Sequence, residues 1–238
     1  MDVRPAPFDP ASLRALYADD AGGEGRPMEP ATRLALEAGF GSVERWRDGF
    51  VAAARAAGEG DGWALLVFGP RDGSLTNRSA VDAAGAADSV PLLALDVREH
   101  ARRAGGEADR CAEAFVDGLD WARVHARYRA AVDAATAPLA AAHADVEGAV
   151  VLDVRRAGAF AQADTMLPGA RWRDPALVAR WEGDCAGDRE VIVYCVHGHE
   201  VSRATALRLR AAGVNARFLA GGLEGWRAAG RALVPRAA

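Results

Sequence analysis

The stretch Val191-Ile-Val-Tyr-Cys-Val-His-Gly-His-Glu-Val-Ser-Arg-Ala-Thr-Ala-Leu-Arg-Leu-Arg-Ala-Ala-Gly213 decides how this chain folds. Its first four residues form an apolar, β-prone run with the length of a buried parallel strand. Val201, Ala204, Leu207 and Ala211 then recur at helical spacing up to Gly213, which predicts a helix packed through those residues. Between strand and helix lies a short loop opened by Cys195, with Gly198 at its middle. The thiol therefore sits at the carboxyl end of a strand and faces a helix amino terminus. Open α/β sheets bind ligands at that place, and a helix terminus favours negative charge.

A free thiol titrates near ~8.5, so chemistry at Cys195 needs help in forming the thiolate. Loop N–H groups, the following helix terminus and the flanking His197 and His199 all stabilise negative charge on sulfur. Glu200 opposes them. The plain alternative is that Cys195 is a small buried hydrophobe. A cysteine phosphatase loop would place Arg six positions after the Cys, but that position is Val201 and the nearest arginine is Arg203. Cys195, His197 and His199 are also a donor set for a soft metal, provided the loop turns both imidazoles inward.

At 238 residues, half of them apolar, the chain can bury a core for one large domain or two small ones. The formal charge of -4 is small, and basic and acidic residues are interleaved. That pattern gives no electrostatic footprint for nucleic acid or a membrane surface. Residues 1–10 lack a signal-peptide core and no run approaches a membrane span, so the expected residence is cytoplasmic. Three cysteines, Cys111, Cys185 and Cys195, fit free thiols in a reducing compartment better than a disulfide framework.

Prolines and glycines crowd residues 1–29, which reads as a flexible entrance with one short helical possibility at 12–18. Helices are expected at 32–38 and after Ser42, whose Val43, Trp46, Phe50, Ala53 and Ala57 share a face. Trp63–Phe68, a Gly-Pro turn and Ser74–Asn77 predict an antiparallel hairpin. Pro91–His100 reads as a strand ending in ionisable groups, followed by helices at 107–116 and 121–135. Pro138 ends the last of these, and the Ala-rich run beyond it is the candidate linker. From Glu147 short strands at 150–154, 191–194 and 217–219 alternate with helices, the pattern of a parallel sheet covered on both faces. Asp174-Pro175 reads as a cap followed by proline at the first helical position.

Residues 147–238 resemble a single rhodanese domain. Leu152-Asp-Val-Arg155, Leu167-Pro-Gly-Ala170, the Cys195-Val-His-Gly-His-Glu loop and Phe218-Leu-Ala-Gly-Gly-Leu-Glu-Gly-Trp226 carry the likeness in order and spacing. The resemblance implies that Cys195 attacks the sulfane sulfur of a donor such as thiosulfate, holds it as a persulfide and passes it to a thiol or cyanide-like acceptor. Residues Val196, His197, Gly198, His199 and Glu200 would cradle that polarisable anion through their N–H groups. Asp153 and Arg155 read as a salt bridge that fixes loops. Many relatives carry Arg or Lys in the loop where this chain has His and Glu, which leaves the choice of donor open.

Residues 30–133 resemble the carboxyl-terminal domain of iron/manganese superoxide dismutases. Phe40-Gly-Ser-Val-Glu44, Gly62-Trp-Ala-Leu-Leu-Val67, Pro91-Leu-Leu-Ala-Leu-Asp-Val-Arg-Glu-His-Ala101 and Leu119-Asp-Trp-Ala-Arg-Val-His-Ala-Arg-Tyr128 carry it. The resemblance implies that Asp96 and His100 match metal ligands and that Glu99 reaches across a dimer interface. By themselves Asp96 and His100 read as a surface ion pair at a helix start. The family's other two ligands are histidines of an amino-terminal hairpin, and this sequence has no histidine before His100. Arg98, Arg102 and Arg103 stand where aromatic residues are common, and positive charge there disfavours a cation.

The expectation is therefore two domains, bounded at 1–29 (flexible), 30–137, 138–146 (linker) and 147–238. The first is α+β, helices with a small antiparallel sheet; the second is α/β, a parallel sheet flanked by helices. The leading function is sulfur transfer through Cys195 with no required cofactor, a small sulfur donor and a thiol acceptor as partners, and a homodimer through a degenerate first domain. The alternatives are an iron- or manganese-binding dismutase-like metalloprotein and a non-catalytic persulfide or metal sensor.

Overall fold

The computed structural model describes residues 8–21, 25–58, 62–79, 89–104, 108–185 and 187–236. The chain divides into two compact units, the first running to Tyr128 and the second from Arg129, with Arg71–Gly73 grouped with the second.

The first unit begins with helix α1 (Pro10–Ala21), followed by α2 (Pro30–Phe40) and α3 (Val43–Gly58). Strands β1 (Trp63–Phe68), β2 (Leu75–Ser79) and β3 (Val90–Asp96) form an antiparallel sheet in the order β2-β1-β3. Helices α4 (Val97–Ala104), α5 (Ala108–Asp117) and α6 (Trp121–Thr136) follow, the last running past Arg129. β1 is buried along its whole length. Trp46 and Phe50 of α3 stack into an aromatic cluster with Phe115 and Trp121, each ring removing roughly 150–250 Å² from water.

Two features of this unit depart from expectation. The segment 1–29, expected to be flexible, contains α1, which packs on β3 and buries Leu13 and Tyr17. Pro10 there is at the first helical position rather than a breaker, and the Asp9 carboxylate accepts from the N–H groups of Ala11 and Ser12 as a cap. Residues 1–7 and 22–24 of that segment lie outside the described residues. The run 91–100 is not one strand: Asp96 ends β3, and its Oδ1 accepts from the N–H of Glu99 at 2.9 Å, which starts α4. Glu99 and His100 are thus helical.

In the second unit, β4 (Ala140–Ala141), β5 (Val150–Asp153), α7 (Ala157–Ala161), β6 (Thr165–Met166), β7 (Arg171–Trp172) and α8 (Val178–Trp181) come first. They are followed by β8 (Val191–Tyr194), α9 (Glu200–Ala211), β9 (Ala216–Leu219), α10 (Gly222–Ala228) and β10 (Val234–Pro235). Strands β4-β9-β8-β5-β7 make a parallel sheet in that order, and β6 pairs antiparallel with β10. Alternation along β8 sends Val191 and Val193 into one apolar cluster with Phe218 and Leu209, and Ile192 and Tyr194 into another with Leu223 and Trp226. Each fully buried aliphatic side chain there contributes roughly 1.5–3 kcal/mol, which fixes the strand that presents Cys195.

The stretch 138–146, expected as a linker, is built into this sheet. A 3-10 turn at Ala137–Leu139 carries Pro138 at its second position, and Ala140 and Ala141 pair with Phe218 and Leu219. A two-residue strand of alanines leaves no alternation to read. The expected packed face of α9 is also displaced: Ser202, Thr205, Ala206, Leu207 and Leu209 are buried, whereas Ala211 is exposed. The hydroxyl of Thr205 donates to Val201 O at 2.8 Å, so a polar side chain occupies an inward position without an unsatisfied group.

Candidate functional site

Cys195 follows β8 directly and is 6% exposed. Its Sγ lies 3.2 Å from the Oγ of Ser202, in the first turn of α9. The Ser202 hydroxyl also reaches the carbonyl of His199 at 3.4 Å. It carries one proton. When sulfur bears negative charge, that proton has a stronger acceptor in Sγ than in a carbonyl.

The loop from Cys195 to Glu200 is held by its carbonyls. Cys195 O accepts from Leu223 N at 3.0 Å and Val196 O from Glu224 N at 2.9 Å, both at the start of α10. Gly198 O accepts from Arg203 Nε at 2.9 Å, and His199 O from Arg203 N at 3.2 Å. In a planar trans peptide the N–H points opposite to the C=O. The N–H groups of Val196, His197, His199 and Glu200 are therefore turned away from these partners.

Two glycines permit the arrangement. Gly198 has φ +69°, and a Cβ there would stand 2.7 Å from Leu219 O and 2.8 Å from Gly222 N. Gly222 has φ +56°, and its Cβ would meet Cys195 O and Gly198 N at 2.5 Å. The left-handed backbone and the close approach both require glycine.

Fixed positive charge around the loop comes from outside it. Arg129 Nη2 lies 3.3 Å from His199 Nε2, and burial followed by the Arg129 charge holds that imidazole below its ordinary value. Arg203 lies over the Phe218 ring at 4.2 Å, donates to Thr136 Oγ1 at 3.2 Å and approaches Asp133 at 3.2 Å. His197 and His199 face each other with ring centroids 5.5 Å apart. The Oε2 of Glu200 is buried with no hydrogen-bond partner among the described residues.

Asp153 and Arg155, at the end of β5, form a buried pair. Arg155 Nε donates to both Asp153 oxygens at 2.9 and 2.8 Å, and its Nη2 reaches Thr165 O at 3.1 Å. The Tyr194 hydroxyl donates to Asp153 Oδ2 at 2.8 Å and accepts from Leu167 N at 3.2 Å. Burial, with the Asp153 charge beside it, pushes the Tyr194 phenol above its usual range. The group ties β8 to the Thr165–Leu167 segment one residue before Cys195.

Asp96 and His100 are each engaged by a neighbour other than a shared ligand. Asp96 Oδ1 caps α4. His100 Nδ1 lies 3.1 Å from the Tyr17 hydroxyl, and its ring meets Phe115 edge-on at 5.5 Å. Among the described residues no three His, Cys, Asp or Glu side chains gather as a metal site, at these positions or at Cys195, His197 and His199. An iron or manganese ion therefore has no adequate donor set among the described residues. Glu99 bonds Arg102 of its own helix at 2.8 Å.

Sequence reasoning missed Ser202, Arg129, Asp133 and Tyr194. The phase of α9 hid Ser202. Arg129 stands 70 residues before its histidine partner, and no local pattern signals such a contact.

Residues 136–229 match the family model for the rhodanese-like domain, and residues 28–127 match that for the C-terminal domain of iron/manganese superoxide dismutases. An iron superoxide dismutase of Cupriavidus metallidurans is 42% identical over 123 residues, 50% of this chain and 62% of that protein. A manganese superoxide dismutase of Halobacterium salinarum is 39% identical over 119 residues, covering 48% and 56%. The chain thus spans about three fifths of the length of these relatives. Among solved structures, a protein from Lactobacillus plantarum is 31% identical with a TM-score of 0.37, covering 41% of this chain and 88% of that one. A rhodanese-related protein from Thermoplasma volcanium is 22% identical with a TM-score of 0.35, covering 39% and 89%. Among the described residues no helix is long and apolar enough to cross a membrane.

Proposed function

Because this chain joins an iron/manganese superoxide dismutase C-terminal-like domain to a rhodanese-like domain, we propose that it moves sulfane sulfur through a persulfide on Cys195. The observation that carries the reading is the loop itself. A nearly buried thiol at a strand end has a hydroxyl 3.2 Å from its sulfur and loop carbonyls bonded elsewhere.

The Cys195 thiolate attacks the outer sulfur of a donor such as thiosulfate. The new S–S bond forms as the donor's S–S bond breaks, and sulfite leaves with the electron pair. An acceptor thiolate or cyanide then attacks the outer sulfur, taking it and returning Cys195 to the thiolate. The N–H groups of residues 196–200 and the Ser202 hydroxyl stabilise the anion, and charge-assisted bonds of this kind are worth about 1.5–3 kcal/mol each. His197, His199 and Glu200 shape the mouth of the cradle, while Asp153 and Arg155 hold its floor. No cofactor is needed.

The first domain we assign to subunit pairing, with Glu99 at the contact and dismutase chemistry given up. Support comes from the resemblance and from the cap and the tyrosine contact that occupy Asp96 and His100. Mass spectrometry after thiosulfate treatment tests the sulfur reading: the Cys195 peptide should gain ~32 Da, and cyanide should discharge it. An unmodified Cys195 peptide at saturating donor would remove the proposal. Adduct formation without turnover would favour a persulfide sensor instead.

A further inference from the structure

We infer that Arg129, from α6, is the cation that selects anionic sulfur donors at Cys195, a role resting on the sulfur-transfer reading but tested apart from it. The loop carries no Arg or Lys from Cys195 to Ser202, and its one fixed charge is Glu200. Arg203 is the next cation along the chain. Its Nε is engaged by Gly198 O and its Nη1 by Thr136 Oγ1, its charge lies beside Asp133, and its face covers Phe218. Those contacts make it the brace of the loop, with its side chain 21% exposed against 43% for Arg129.

Arg129 differs. It reaches His199 Nε2 with Nη2 at 3.3 Å, its side chain remains 43% exposed, and Asp133 touches its Nε only at 4.0 Å. The backbone of that histidine lies close to the sulfur, since Ser202 Oγ bridges His199 O and Cys195 Sγ at 3.4 and 3.2 Å. Arg129, Asp133 and Thr136 are spaced i, i+4, i+7 and so share one stripe of α6. That stripe supplies the loop with both its brace and its charge. Leaving the imidazoles aside, Arg129 and Arg203 balance Asp133 and Glu200. Without Arg129 the mouth becomes net negative and repels a dianion such as thiosulfate. Arg129 lies outside residues 136–229, the part of the chain that matches the rhodanese-like model, so the cation missing from the loop is restored from a preceding helix.

Iodoacetate and iodoacetamide are similar in size and react with the same thiolate, but only the first is an anion. The ratio of their rates at Cys195, read by peptide mass spectrometry at low salt, reports charge at the mouth and cancels changes in the thiolate itself. Arg129→Gln should lower the iodoacetate-to-iodoacetamide ratio about tenfold. Arg129→Lys should keep most of it, and salt should draw the wild-type ratio toward that of the glutamine variant. The KM for thiosulfate should rise in Arg129→Gln with kcat little changed. An unchanged ratio in Arg129→Gln, or a wild-type Cys195 that reacts with neither reagent, overturns the assignment. A lowered ratio in a protein that never takes up sulfur would uphold Arg129 as the anion selector while removing the sulfur-transfer reading.

Discussion

Ser202 Oγ and Cys195 Sγ stand 3.2 Å apart, seven residues from one another across a loop that closes between strand and helix. The serine is fully buried, so its proton is shared with few competitors. Ser202→Ala removes the donor and leaves little void. Losing one hydrogen bond to a charged group costs roughly 1.5–3 kcal/mol. At neutral pH, iodoacetamide alkylation of Cys195 and sulfurtransferase turnover should both fall tenfold or more on that basis. The melting temperature should move by no more than a few degrees. Kinetics matching the wild type would show that the hydroxyl serves only the His199 carbonyl.

Gly198→Ala tests the loop from the other side. The substitution forces a side chain into φ +69° and sets its Cβ 2.7 Å from Leu219 O and 2.9 Å from Gly221 N. These are backbone atoms, which cannot swing aside as a flexible side chain would. The left-handed conformation alone costs roughly 1–2 kcal/mol. With the clash added, denaturant unfolding should show the second unit destabilised by about 2–4 kcal/mol. Uptake of sulfur on Cys195 should be lost as the loop moves. Full stability would mean that the loop relaxes without opening the contact with α10.

Gly198 was legible in the sequence because a thiol, a glycine and a helix start within one short loop leave the backbone little choice but a tight turn, and the strand before it is cleanly apolar. Ser202 was not, because the inward face of α9 carries hydroxyls at 202 and 205 and the apolar residues alone gave the wrong phase. The same blindness hid β4, a strand of two alanines, and let α1 be read only as a short helical possibility at 12–18, because proline in quantity reads as disorder although Pro10 starts the helix. Asp96 shows a subtler case: its place at a strand end was readable, but its use as a cap for α4 depends on where the strand stops. Long-range partners such as Arg129 and His199 leave no trace in local spacing.

Asp20 gives a pH prediction for the first unit. Its carboxylate is 3% exposed, its Oδ1 meets Arg127 and its Oδ2 has no hydrogen-bond partner among the described residues. Burial outweighs the Arg127 attraction and pushes the carboxyl up to about 6. A carboxyl raised on folding binds its proton more tightly in the folded state, so its contribution is greatest below about pH 4 and declines as pH rises to about 6. The loss over that window is about 3 kcal/mol. Unfolding of Asp20→Asn should lack that decline when measured from pH 4 to 7. A wild-type contribution that instead increases across the window would show Arg127 to be the stronger influence.

Metal content tests whether the first domain has kept the dismutase chemistry of its relatives. Asp96 and His100 are two side chains, four residues apart, on either side of a helix start. One oxygen of Asp96 is engaged by the N–H of Glu99, and one nitrogen of His100 by the Tyr17 hydroxyl. Stable iron or manganese sites need more donors than these can offer, and no third ligand joins them among the described residues. Protein purified without chelators should therefore carry less than about a tenth of an equivalent of iron or manganese per chain. It should show no superoxide dismutation above that trace. Because the shortage of donors and not the tyrosine contact keeps metal away, Tyr17→Phe should leave metal content unchanged: releasing one nitrogen of His100 still leaves the donor set short. Near-stoichiometric metal lost on His100→Ala would instead place a working centre here and require donors from beyond the described residues.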